Sequence, residues 1–275
     1  MVQACEDPRV RLITFERNQG PGAARNAAIA ASRGAWLAVL DADDAFLPNR
    51  LERLHGLAEQ LDPWCVLADR SLRVTHSEQG FIPLEQIPET IPVGHSVIAP
   101  AQVLQKGAGG SPFFSRELLE TSQARNPVGV ISAEDIAFLL LLLRADRARF
   151  VRLRDPHYLY AVQEGSLTTS TERYCDRLAA LAPLADDDRM PPGLRASIAL
   201  HLDEVQRAQP FEELRGALRS RRALQAAAIV ARHPRILPRL PALYRTHRRY
   251  RSAVSDAKRF ADQVSAEGRA PEGSR

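Results

Sequence analysis

The spacing of apolar and polar positions changes several times along the chain, and each change predicts an element. Residues 10–15 (VRLITF) form a short apolar run that predicts a strand. Residues 20–34 (GPGAARNAAIAASRG) place alanines and Ile29 at helical spacing, with Gly34 where a helix C-cap belongs. Residues 36–41 (WLAVLD) are continuously apolar up to an acid, as in a fully buried parallel strand. Residues 47–61 (LPNRLERLHGLAEQL) carry Leu47, Leu51, Leu54, Leu57 and Leu61 on one helical face, with Pro48 near the start. Residues 64–74 (WCVLADRSLRV) predict the next strand. Strand, helix, strand, helix, strand in this order predicts an α/β layer built on a mostly parallel sheet.

Residues 76–110 read as loop-rich, with Pro83, Pro88, Pro92, Pro100 and five glycines. Order resumes at 111–121 (SPFFSRELLET). Residues 132–146 (SAEDIAFLLLLLRAD) predict a strong helix, and 149–162 (RFVRLRDPHYLYAV) an extended aromatic segment. Beyond Thr171 the pattern becomes helical, interrupted by prolines. The predicted organisation is an α/β domain over 1–175, a helical basic appendage over 176–264 and a disordered tail over 265–275.

Composition narrows the class. An apolar fraction of 45% and a charged fraction of 25% are those of a globular protein, and 275 residues suffice for one large core with an appendage. The longest apolar run, residues 136–143, has eight residues. A bilayer span needs ~20, so the run predicts a buried helix. The first twenty residues lack the apolar core of a secretion signal, and Cys5, Cys65 and Cys175 form no close pair. Both features predict a cytoplasmic chain with reduced thiols. Residues 215–259 hold thirteen Lys/Arg against one acid, Asp256, so the rest of the chain is net acidic. That basic segment fits a solvated helical face, a peripheral contact at the inner face of a membrane, or nucleic acid. Nucleic acid is the weakest of the three, because no helix-turn-helix or RNA-recognition motif accompanies the charge.

The chemistry gathers at residues 37–54 (LAVLDADDAFLPNRLERL), where a strand runs into Asp41, Asp43 and Asp44. Ligands of open α/β sheets bind outside the carboxyl ends of strands. Two carboxylates one residue apart can converge there on one Mg²⁺ or Mn²⁺, whose remaining positions go to water and phosphate oxygens. Asp44 fits a helix N-terminus, where acids are favoured. Upstream, residues 18–26 (NQGPGAARN) are a glycine-rich turn entering a helix with Arg25 in its first turns. Such a turn brings backbone amides to an anion, and arginine adds a planar fork. Ser132 and Asp135 have the spacing of a capping box on the helix they open.

Asn18, Gly20, Ala24, Arg25 and Asn26, followed by residues 31–44 (ASRGAWLAVLDADD), resemble the inverting family 2 glycosyltransferases of GT-A fold. The resemblance continues through residues 47–54, resumes at Glu134-Asp135 and ends at Tyr160 and residues 165–170 (GSLTTS). Within the family it is similar to bacterial succinoglycan- or capsule-type glucosyltransferases. It implies a nucleotide-sugar donor, usually a UDP-sugar, and a saccharide or lipid-linked acceptor. It implies Asp43 and Asp41 at an Mn²⁺ or Mg²⁺ ion, and Arg25, Asn18, Gly20, Asp41 and Ser166 around the donor. Asp135 would be the catalytic base, with Glu134 in support.

The resemblance also implies departures. The family's chain opens with two strands that precede the counterpart of residues 10–15, so the resemblance implies a GT-A domain without its first two strands, through a misplaced start or a genuine fragment. The alternative function is a non-catalytic fragment or binding module keeping part of the donor site. Ala161 stands where the family often has arginine after the tyrosine.

Overall fold

The computed structural model describes residues 6–77, 80–84, 93–106, 111–130, 132–162, 173–219 and 222–235. The first elements are α1 (Gly20–Ala31), β1 (Trp36–Ala38), β2 (Ala45–Phe46), α2 (Arg50–Gln60) and β3 (Cys65–Ser77). Then come β4 (Gly80–Pro83), β5 (His95–Ile98), β6 (Phe113–Ser115), α3 (Arg116–Ser122), α4 (Glu134–Leu142) and β7 (Arg149–Ala161). Three helices follow, α5 (Arg173–Ala185), α6 (Pro192–Arg219) and α7 (Ala223–Arg232).

The sheet has the order β1-β6-β3-β7-β2, with β4 added to β3 and β5 to β7. Its spine is the parallel pair β3/β7, thirteen residues each, running from Cys65 opposite Arg149 to Val74 opposite Ala161. The strand periodicity of two divides their side chains cleanly. Val66, Ala68 and Phe150 enter the large core with α3, α4, α5 and the first half of α6. Cys65, Leu67, Val151 and Leu153 face the other way, onto Leu54 and Ala58 of α2. Both faces are therefore covered, which is why β3 starts as an unbroken apolar run. Phe114 of β6 stacks edge-on against Phe138 of α4 in the large core, their ring centres 5.5 Å apart.

The expected mixed α/β class is found, but the sheet is not mostly parallel. Among the described residues, five of its six strand pairings are antiparallel and only β3/β7 is parallel. Sequence order cannot reveal that the short strands β2, β4, β5 and β6 run against the spine. Residues 10–15 are not a strand: they are irregular, with Val10, Leu12, Ile13 and Phe15 exposed. A strand needs a partner for its backbone groups, and none pairs with this segment among the described residues. The strand expected over 36–41 is confined to Trp36–Ala38 and is half-exposed, because it lies at the sheet's edge against β6. Helix α1 ends at Ala31 with Ser32 as C-cap, ahead of Gly34. Gly34 serves a tight turn instead, where a Cβ would lie 2.8 Å from the Trp36 carbonyl. Helix α2 starts at Arg50 rather than Leu47, and Leu51 is exposed while Leu54 is fully buried. The predicted extended segment over 149–162 and the helix opening at Glu134 are present as β7 and α4.

The helical region expected after Thr171 is also present. Pro183 and Pro210 lie inside α5 and α6 without ending them. Ala180, Leu181 and Leu184 of α5, with Leu194, Ile198 and Leu202 of α6, share the large core with α4. Farther along, Leu214 and Ala217 of α6 form a small separate cluster with Ala226 and Ile229 of α7. Residues 236–275, including most of the basic segment and the expected tail, lie outside the described residues.

Candidate active site

Helix α1 is seated by two residues one turn apart. A Cβ on Gly22 would lie 2.1 Å from the Pro127 carbonyl, so only glycine lets the helix lie this close to the 126–127 loop. Asn26 then exchanges hydrogen bonds with Asn126. Its Nδ2 donates to the Asn126 carbonyl at 2.9 Å, and its Oδ1 accepts from the Asn126 N–H at 2.8 Å. Asn18, at the helix entry, accepts from the Gly20 N–H at 2.8 Å, and Gly20 takes a positive φ of 83°. The glycine-rich motif therefore shapes and docks its own helix, and this docking sets Arg25.

Arg25 joins two acids that are far apart in the chain. Its Nη2 donates to Asp41 Oδ1 and its Nη1 to Glu134 Oε1, both at 2.6 Å. Burial alone would lower the Arg25 pKa, but the hydrogen bonds and charges of Asp41 and Glu134 outweigh it and hold it above the ordinary arginine value. Burial pushes the Glu134 carboxyl up, and the Arg25 hydrogen bond offsets only part of that rise.

The adjacent acids Glu134 and Asp135 occupy opposite environments. Glu134 is buried against Arg25, while Asp135 is exposed and accepts from the Ile136 N–H at 2.7 Å. The capping box expected from Ser132 does not form. The N-cap is Ala133, with no side-chain cap, in the left-handed region at φ 68°. A non-glycine residue there is uncommon and marks local strain.

The loop after β1, which carries Asp41 and Asp43, is tied down along its length. Val39 donates to the Pro112 carbonyl at 3.3 Å and accepts from the Ser111 hydroxyl. The Leu47 N–H donates to the His157 carbonyl at 2.9 Å, and His76 Nε2 lies 3.1 Å from the Asp43 carbonyl. Asp44 is not the solvated acid at a helix start that the sequence predicts. It accepts from the Tyr158 hydroxyl and, at 2.8 Å, from the Ala161 N–H. Burial raises its pKa; those two donors oppose the rise and the charges of Asp43 and Asp41 add to it. At the loop's end the guanidinium of Arg50 is fully buried. It bonds Asp69 at 2.7 and 3.0 Å and the Ser111 carbonyl at 2.8 Å, and lies 4.2 Å above the Phe46 ring.

Asp43 is left exposed, and its carboxylate has no hydrogen bond to the other described residues. Among those residues no group of three or more His, Cys, Asp or Glu side chains could enclose a metal by itself. A fully enclosed site of the calcium or structural zinc kind is thus not what these residues build. One free carboxylate in a rigid loop beside Asp41 does fit Mg²⁺ or Mn²⁺, which take one or two carboxylates and leave the rest to water and phosphate. Asp44 carries unrelieved repulsion from these acids, which a cation would offset.

The structure brings Arg25, Asp41, Glu134 and Asp135 together and places Asp43 two residues beyond Asp41. Asn18 and Gly20 stand at the start of α1, and Ser166 lies outside the described residues. Sequence reasoning missed Tyr158, Asp69, Ser111 and Asn126, whose partners are 114, 19, 72 and 100 residues away. The one local signal was Gly22 with Asn26, a glycine and a polar residue one turn apart in an alanine helix.

The fold is mixed α/β with a helical carboxyl-terminal part, and comparison with known proteins shows what it is similar to. Residues 1–89 match the family model "Glycosyl transferase family 2". The succinoglycan biosynthesis protein ExoO of Rhizobium meliloti (strain 1021) is 36% identical over 180 residues, 61% of this chain and 49% of that protein. A second protein of the same organism, the succinoglycan biosynthesis protein ExoU, is 49% identical over 61 residues, 22% of this chain and 17% of that protein. The chain thus spans about half the length of ExoO and less of ExoU. In three dimensions it is similar to S. aureus TarS 1–349 in complex with UDP-GlcNAc. The TM-score is 0.56 at 14% identity, over 82% of this chain and 75% of that one, a likeness of fold alone.

Proposed function

We propose that the chain is an inverting, metal-dependent glycosyltransferase of surface polysaccharide assembly. It moves a sugar from a nucleoside diphosphate donor, a UDP-sugar, to a saccharide or lipid-linked acceptor. The observation that carries this reading is the Arg25 bridge, which brings the acidic loop of β1 to the paired acids of α4. A donor-side charge cluster and an exposed acid thereby share one site. The family match, the succinoglycan relatives and the UDP-GlcNAc bound by TarS support the same assignment.

In this reading the exposed carboxylate of Asp135 takes the proton of the acceptor hydroxyl as its oxygen attacks the anomeric carbon. The bond to the diphosphate breaks on the opposite face, and the nucleoside diphosphate leaves with the bonding electrons. Arg25, with Asn18, Gly20 and Ser166 at the donor, stabilises the charge that grows on the departing phosphate. Glu134, which accepts from Arg25 Nη1 at 2.6 Å, keeps that guanidinium in place. Asp43 and Asp41 would hold Mn²⁺ or Mg²⁺, which supplies further neutralisation of the diphosphate.

The test is UDP release from UDP-sugars with a crude saccharide acceptor, in Mn²⁺ or in a chelator. We expect metal-dependent release that falls at least a hundredfold in Asp135→Asn, with donor binding retained. Asp43→Asn should lose metal-dependent UDP binding itself. Binding of UDP that ignores both metal and Asp43 would overturn the assignment.

A further inference from the structure

The tip of the α6–α7 hairpin carries chemistry that the transfer site does not use. Leu218, near the end of α6, is 60% exposed, and Leu224, at the start of α7, is 90% exposed. Between them in sequence stand Arg219, Arg221 and Arg222, and Arg222 is exposed. Helix α7 turns Ala226 and Ile229 onto Leu214 and Ala217 of α6 and leaves Leu224 outside that cluster. Arg232 and Arg235, at its far end, are exposed as well.

The charge of the chain is segregated toward the same region. Residues 215–259 hold thirteen Lys/Arg and one acid, whereas the other 230 residues hold 24 Lys/Arg and 32 acids. The modest net charge of +4 therefore joins a strongly basic segment to an acidic remainder. The basic run continues with Ile236, Leu237, Leu240, Leu243 and Tyr244 set among arginines. Nucleic-acid phosphates would take the arginines but give the leucines nothing to enter. An anionic bilayer surface accommodates both, with lipid phosphate for arginine and the headgroup–acyl boundary for leucine. Among the described residues no helix is long and apolar enough to cross a membrane, so such a contact stays at the surface.

We propose that the α6–α7 tip docks this chain on an anionic lipid bilayer, with Leu218 and Leu224 entering the interface and Arg222 on the lipid phosphates. The proposal goes beyond the transferase reading and does not depend on it. Its test is sedimentation of the full chain with phosphatidylcholine vesicles and with phosphatidylcholine/phosphatidylglycerol vesicles. Binding is expected only to the second kind, weakening as salt rises. Leu218→Ser/Leu224→Ser should weaken it about tenfold, and Arg222→Gln severalfold. Thermal melts should be unchanged, because these side chains are exposed. Leu224→Trp should give blue-shifted emission on anionic vesicles beyond that of the parent. Failure to bind anionic vesicles would overturn the proposal. So would leucine variants that bind like the parent, or tighter binding to a single-stranded oligonucleotide that ignores the leucine changes.

Discussion

Ala133 and Glu134 show how much of the candidate site rests on single residues. Ala133 holds φ 68° immediately before the paired acids. Relief of left-handed strain by Ala133→Gly is worth ~1–2 kcal/mol, and the lost buried methyl and added chain freedom cost about the same. Ala133→Gly should therefore leave the urea midpoint nearly unchanged. Ala137→Gly, in the same helix at a fully buried position, should cost about 2 kcal/mol, since it has no strain to relieve. Glu134 makes a different prediction, through pH. Its folded pKa is raised above the ordinary 4.5, so the folded state binds its proton more tightly than the unfolded chain does. The stability it contributes is present below 4.5 and is lost as pH rises through the raised value. In urea unfolding from acid to neutral pH this decline is superposed on other titrations, among them that of Asp187, whose lowered pKa acts in the opposite direction. The difference between parent and Glu134→Gln should isolate it, and Arg25→Ala should move it to higher pH by removing the cation that offsets the rise. A parent–variant difference that does not depend on pH would show that Glu134 is not so placed.

The elements around the acidic loop are joined by contacts that skip most of the chain. Arg50 opens α2 yet holds Asp69 of β3 and the carbonyl of Ser111, with both ionic side chains out of water. Removing one member of such a pair strands the other, at a cost of about 3–5 kcal/mol, whereas replacing both with apolar groups can be neutral. Arg50→Met should show that loss in urea unfolding, and Arg50→Met/Asp69→Leu should recover at least half of it. Recovery is limited because Asp69 also accepts from the His157 N–H at 2.9 Å. This pattern explains what could be read from the sequence. Asp41, Asp43, Arg25 and the Glu134-Asp135 pair were legible because each belongs to a local motif. The supports Tyr158, Asp69, Ser111 and Asn126 were not, because an isolated tyrosine or serine carries no mark of a partner 72 to 114 residues away. Strand existence was legible at β3 and β7, where apolar runs are long. Strand direction was not, because pairing is decided by neighbours that sequence order does not bring together.

Across the whole molecule, α6 links two cores of very different size. Its first half adds Leu194, Ile198 and Leu202 to the large core, together with Leu181 and Leu184 of α5. Its second half closes only the small cluster of Leu214, Ala217, Ala226 and Ile229 with α7. With 28 residues it is ~42 Å long, enough to carry the α7 end well away from the sheet. Stability should therefore be uneven along one continuous helix. Leu181 is fully buried between layers, so Leu181→Ala should cost about 2–5 kcal/mol of global unfolding free energy. It should raise amide exchange throughout the sheet and α4. Ile229→Ala removes a similar volume from a cluster with few neighbours, where the remaining side chains can close over the gap. It should raise exchange across α7 and the end of α6 while leaving the protection of β3 and β7 almost as it was. If the two substitutions gave the same exchange pattern, the α6–α7 end would be part of the main cooperative unit. If they differ as expected, the basic end can loosen or reorient without disturbing the Arg25 bridge, which lies wholly on elements of the large core and its loops.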